Sequence, residues 1–294
     1  MNALIGKDDR VEIRKTIKLY IGGAFPRSES GRTYEVNSAK GDFLANVAQG
    51  SRKDARDAVL AARSAFTKWS SATAYNRGQV LYRIAEVMEG RREQFIAEVQ
   101  QTSGSTTKQA TKHVDAAIDR WVWYAGWADK LSQVIGTSNP VAGSFFNFSI
   151  PEPTGVVVAI APHDSALLGL SSVIAPIIVS GNSCVVIASQ NQPIPAITLA
   201  EVMATSDVPG GVVNILTGDA AEIAPWLASH ADVNALDLTG ITDQQLAQQL
   251  EQDAAGTVKF VRGPRTDADW MATPTLSRIR AFTEIKTVWH PMGV

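Results

Sequence analysis

The sequence predicts an α/β fold built on a parallel sheet with helices flanking both faces, and two observations carry that expectation. Short apolar runs at Val156–Ile160, Cys184–Ile187, Val212–Leu216 and Ala235–Leu238 alternate with helix-like segments. Parallel strands joined by crossover helices are buried on both faces, so they read as continuous apolar runs of this kind. The composition agrees: 294 residues, 45% hydrophobic and 19% charged, suffice for a substantial core.

In chain order, residues 1–18 read as a polar leader, and Tyr20–Phe25 as a strand, a Gly22-Gly23 turn and a second strand. Ser51 with Asp54 three positions later is a capping-box signal that starts a helix. Val59, Ala62, Phe66 and Trp69 continue it at helical spacing. Val80, Ile84, Val87 and Met88, then Phe95 and Val99, predict one further amphipathic helix beyond Tyr75-Asn76-Arg77. A third is marked by Ile118, Trp121, Tyr124, Ala125 and Ala128, whose aromatics fit core packing better than a stacking platform. Ser144–Ile150, closed by Pro151 and Pro153, predicts an extended arm. After the strand–helix alternation, Thr257–Val261 is a candidate fifth strand, and the polar stretch to Arg280 a connector. Alternation in Phe282–Trp289 predicts a terminal strand.

The same totals exclude several functions. A net charge of −2 gives no reason to expect a nucleic-acid or acidic-membrane partner. The basic pairs Arg52–Lys53 and Arg91–Arg92 sit in helix-like segments as solvated faces. One cysteine cannot form an internal disulfide, which suits a reducing compartment. The first ten residues lack a signal-peptide core, and Ala166–Ser180 is too short to span a bilayer. A soluble cytoplasmic protein, without membrane or nucleic-acid partner, is the expectation. His113, His163, His230 and His290 lack metal-ligand spacing, so no metal is expected. His163 beside Asp164 is the only local acid–base pair, and a polar residue at that junction more often caps a helix. Asp237 is expected to satisfy backbone groups at a strand end. No P-loop, His-Glu-x-x-His or Gly-x-Ser-x-Gly pattern is present.

Several segments, in order, resemble the aldehyde dehydrogenase superfamily. Glu152-Pro153-Thr154-Gly155-Val156-Val157, followed by Ala161-Pro162, is similar to the family's entry into its coenzyme domain. Ile174-Ala175-Pro176 and Ser180-Gly181-Asn182-Ser183 resemble the helix and turn before its second strand. Val208–Gly218 is the most specific match, Leu238-Thr239-Gly240 stands where the family has Phe-Thr-Gly, and Phe282–Val288 resembles its last oligomerisation strand. The resemblance implies a Rossmann-like coenzyme domain with a small β oligomerisation flap. Its implied divisions are 19–137 and 152–262 for the coenzyme-type domain, 138–151 for the arm, 263–280 for the connector and 281–294 for the terminal strand.

The departures from the family are as informative. The family's catalytic domain, which bears its nucleophilic cysteine, lies between the coenzyme domain and the tail; here only the short connector fills that interval, so the catalytic domain is expected to be absent. Cys184 lies in an apolar run, where a thiol is an inert small hydrophobe. His163-Asp164-Ser165 replaces a Trp-Asn-Phe type motif, so a carboxylate stands where the resemblance implies an oxyanion donor. Ala188-Ser189-Gln190-Asn191 replaces Lys-Pro-Ser-Glu, whose Lys and Glu hold the adenosine ribose, and Ile241 replaces a serine near the pyrophosphate. Losing two or three such contacts, at about 1.5–3 kcal/mol each, costs about two to four decades of affinity. Val261-Arg262-Gly263-Pro264 has no carboxylate where the family's base lies in Glu-Leu-Gly-Gly.

No catalytic residue and no firmly held cofactor are therefore expected. A degenerate site near Ala161, Pro162, His163, Asp164, Ala188, Gly218, Thr239, Gly240 and Ile241 would bind NAD weakly at best, with the helix start near Thr242 still able to attract an anion. The functional expectation is a non-catalytic subunit, a pseudoenzyme similar to the catalysis-deficient second half of family-sixteen aldehyde dehydrogenases. It would form a hetero-oligomer with a full-length aldehyde dehydrogenase through Phe145, Phe146, Phe148, Phe282, Ile285, Val288 and Trp289. The alternatives are an oxidoreductase with residual activity completed by a partner, and a decayed gene whose product folds without a job.

Overall fold

The computed structural model describes residues 15–265 and 267–293. Of the leader, residues 1–14 lie outside the described residues. The remainder is not free: Ile17 is buried and bridges Val47, because an apolar residue among lysines finds the edge of a hairpin. That hairpin, β1 (Thr33–Asn37) and β2 (Phe43–Ala48), was not foreseen. Tyr20–Phe25 forms a tight turn closed by an Ile21–Ala24 bridge, not two strands.

Helix α1 (Arg52–Ser71) starts at the expected capping box: Ser51 accepts from the amide of Asp54, and Asp54 accepts from that of Ser51. The single helix expected over Val80–Val99 is two, α2 (Ala74–Gly90) and α3 (Arg92–Ser103). The chain leaves helical geometry at Arg91, just after Gly90, a poor helix former. Helix α4 (Thr107–Ala125) buries Trp121 and Tyr124 completely, as their spacing required. A short α5 (Leu131–Ile135) and β3 (Thr137–Asn139) lead into β4 (Phe145–Pro153), the arm.

The alternation then runs β5 (Val156–Ile160), α6 (Leu168–Val179), β6 (Ser183–Ile187), α7 (Ile194–Ala204), β7 (Val213–Leu216), α8 (Ala220–Ser229), β8 (Ala235–Asp237), α9 (Gln244–Ala255) and β9 (Phe260–Arg262). The five strands form one parallel sheet in the order β7-β6-β5-β8-β9. Strands β5 to β8 are buried at every position. Val157, Ala159, Cys184 and Val186 face a core shared with α2, α3, α4, α6 and α7. Val156, Val158, Val185 and Ile187 face the other, shared with α1, α8 and α9. This alternation at period two covers both faces, and the architecture is the Rossmann-like α/β fold expected.

After β9, the described residues 263–265 and 267–276 and the short α10 (Ser277–Arg280) lead into β10 (Thr283–Pro291). Strand β10 pairs antiparallel with all nine residues of β4, giving a second, three-stranded sheet in the order β10-β4-β3. The connector is more than a polar link: Trp270 packs against the core and the carbonyls of Trp270 and Ala272 accept from Arg120 Nη2. Among the described residues between β9 and β10 no further sheet intervenes. No helix of the described residues is long and apolar enough to cross a membrane.

Candidate functional site

The strand order reverses at β5, whose neighbours β6 and β8 leave in opposite directions along the sheet. In open α/β sheets ligands bind beyond the carboxyl ends of strands at such a point. The loops after β5, β6, β7 and β8 carry all nine expected site residues.

The β5–α6 loop is anchored by apolar packing. Ala161 and Pro162 are buried, and Pro162 fills the space beside Gly169 where a Cβ would lie 2.3 Å from its Cγ. His163 Nδ1 lies 3.2 Å from Ser189 Oγ, and the His163 carbonyl accepts from Gln192 Nε2, so the loops after β5 and β6 are tied together. Burial pushes the His163 pKa down, against the pull of Asp164 and Asp219.

Asp164 is exposed and does not cap α6. Its first-turn amides go elsewhere, because the loop turns Ser165 inward: Ser165 Oγ accepts from Gly169 N at 3.0 Å and His113 Nε2 from Leu168 N at 3.1 Å. His113 must be neutral at Nε2 to accept, and burial lowers its pKa to about 4. Sequence reasoning missed this partnership, since the two groups are 55 residues apart.

The other loops present little that could hold a dinucleotide. Ala188 is buried and extends the β6 ladder through its amide to the Leu216 carbonyl. Asp219, after Gly218, caps α8 through Ala221 N. Thr239 turns inward, its amide and hydroxyl both donating to Asp237 Oδ1. Gly240 passes so close to β5 that a Cβ would sit 2.4 Å from the Ala161 carbonyl oxygen, and Ile241 is buried. At the α9 start near Thr242, where an anion could be attracted, the Asp243 carboxylate occupies the N-terminus and accepts from Gln245 N and Leu246 N. The starts of α8 and α9 thus each hold a carboxylate, with Asp164 a third on the same side. These residues do not fit a firmly held dinucleotide.

Cys184 is wholly buried in β6, and burial raises its thiol far above the ordinary range. Asp237 does satisfy backbone groups, as expected, but also accepts from Arg278 Nη1 at 3.0 Å in a buried ion pair that the sequence did not reveal. Among the described residues no group of three or more His, Cys, Asp or Glu could hold a metal ion.

The seven expected interface residues do not form one surface. Cross-strand register puts Phe146, Phe148 and Val288 on one face of the flap, and Phe145, Ile285 and Trp289 on the other. Phe146 and Phe148 stack at 5.3 Å, and Phe145 meets Trp289 edge-on at 5.7 Å. Phe282 is not at an interface: it is buried in the main core, and its carbonyl accepts from Asn182 Nδ2 and Thr154 N. The chain bends at α10 before the strand begins, turning that ring inward.

The profile of the aldehyde dehydrogenase family matches residues 25–262. Retinal dehydrogenase 2 of Gallus gallus is 34% identical over 258 residues, covering 86% of this chain and 48% of that protein. The cytosolic 10-formyltetrahydrofolate dehydrogenase of Pongo abelii is 33% identical over 239 residues, 79% of this chain and 26% of that one. Among solved structures, an NAD+ complex of an aldehyde dehydrogenase from Bacillus cereus superposes with a TM-score of 0.79 at 27% identity, over 84% of this chain and 50% of that one. The chain spans about half the length, or less, of each of these relatives.

Proposed function

The chain belongs to the aldehyde dehydrogenase family, and from that premise we propose that it acts as a non-catalytic subunit, assembling with a full-length aldehyde dehydrogenase to support or regulate it. The burial of Cys184, the one thiol among the 294 residues, carries this reading. A nucleophilic thiolate needs access to substrate and a lowered pKa, whereas burial in β6 denies the first and opposes the second. Asp164 adds negative charge where the family resemblance implies an oxyanion donor. The carboxylates of Asp219 and Asp243 oppose a dinucleotide diphosphate on the same side.

The flap supports the assembly half of the proposal. Strand β10 is an edge of its sheet, and Ile285 and Trp289 on it are 54% and 58% exposed. An edge strand with large apolar side chains is a template for another sheet. Phe146, Phe148 and Ile150 line an open hollow on the opposite face, beside Ser132 and Gly136.

Reduction of NAD or NADP by simple aldehydes, with this chain alone and with a full-length paralogue added, tests the reading. No turnover is expected from the chain alone, and Cys184→Ala is expected to leave the mixture unchanged. Turnover by the isolated chain that disappears in Cys184→Ala would restore the enzyme reading.

A further inference from the structure

A second polar site lies where the connector folds over the ends of β8 and β9, and it borders the crevice through Asp237, which accepts from both Arg278 and Thr239. There a cavity of about 170 Å³ is lined by Arg120 and Tyr124 of α4, Ser172 of α6, Arg262 of β9, and Arg265 and Arg278 beyond it. We propose that this cavity binds a small oxyanion, a phosphate or a carboxylate, held by guanidinium groups and the Tyr124 hydroxyl.

Charge imbalance is the first reason. Four arginines meet two carboxylates, Asp269 on the rim and Asp237 behind Arg278. Asp237 is committed to Arg278 and Thr239, and Asp269 accepts from Met271 N. Arg120 is buried, yet its Nη2 bonds only reach the neutral carbonyls of Trp270 and Ala272. Burial, with a smaller contribution from the neighbouring Arg278, pushes the pKa values of Arg120 and Arg262 below the ordinary guanidinium range. Guanidinium groups gathered without matching carboxylates are costly unless an anion joins them.

Unspent hydrogen-bond donors are the second, independent reason. Tyr124 is completely buried and lines the cavity, but its hydroxyl has no partner. Arg262 Nε is likewise buried without one. Buried polar atoms left unpaired call for an explanation, and a bound ion is one of the few available. Both donors and the arginine forks suit the oxygen atoms of a phosphate or carboxylate. The size selects a small ligand, because pockets for cofactor-sized molecules run to about 300–1,000 Å³. Nothing in the subunit proposal depends on this site.

Calorimetric titration of the whole chain with inorganic phosphate and, separately, with malonate tests it, each against sodium chloride of matched ionic strength. Saturable binding of phosphate, of malonate or of both is expected, the pattern telling a phosphoryl from a carboxylate ligand. Arg262→Gln should weaken that binding about ten- to a hundredfold, and Tyr124→Phe should weaken it severalfold. Arg265→Gln, at an exposed position, should also weaken it while leaving the circular dichroism and melting temperature in chloride unchanged. Absence of saturable binding by either anion overturns the proposal. So does binding of equal strength in the parent chain and in folded Arg262→Gln and Arg265→Gln.

Discussion

Burial decides the behaviour of Cys184 and His113 more than their intrinsic chemistry does. Cys184 is enclosed by the sheet, so its thiol is expected to react with Ellman's reagent only after unfolding. Stoichiometric labelling of the native chain at neutral pH would contradict that. His113 has a pKa lowered to about 4, against 6.5 in an unfolded chain. Between these values the unfolded state takes up a proton that the native state refuses. Stability should therefore be full above about pH 6.5 and fall as pH drops towards 4, by at most about 3 kcal/mol. His163 and His230, also shifted down, act in the same direction. Urea denaturation from pH 4 to 7 should show a shallower slope for His113→Gln, which keeps an acceptor for Leu168 N but cannot titrate; equal slopes would place the sensitivity elsewhere.

The elements legible in the sequence were those with one dominant signal. Strands β5 to β8 announced themselves because both faces are buried and every position is apolar or small. The start of α1 was legible because Ser51 and Asp54 satisfy each other locally. The β1–β2 hairpin was not, since Thr33–Asn37 buries only Val36 fully and lacks a clean alternation. The connector misled because Trp270, Arg120 and Arg278 come together only through tertiary contacts. The site was legible only by position: resemblance located the crevice loops, but not the capping of α6 by His113 or the arginine cavity. Phe282 and Trp289 show the same limit within one strand region. Phe282→Ala should cost about 3–5 kcal/mol in the isolated chain, as a core truncation. Trp289→Ala should cost about 1 kcal/mol or less there. Chemical denaturation of the two variants checks the order, and a reversed order would mean that Phe282 is not the anchor of the terminal strand.

At the scale of the molecule, a fully built Rossmann-like sheet carries a flap that closes within the chain yet keeps an open β10 edge. The sheet of the family is present, and the crevice loops carry Ala188, Ile241 and the carboxylates of Asp164, Asp219 and Asp243. On the proposed reading, the sheet and flap serve assembly, and the chain's contribution is its shape. The mass of the particle formed with a full-length paralogue, by light scattering after size-exclusion chromatography, tests this most directly. A stable particle containing both chains is expected, dissociating when Ile285 and Trp289 are both changed to lysine. A chain that elutes as a lone, well-folded monomer beside every such paralogue would contradict the account.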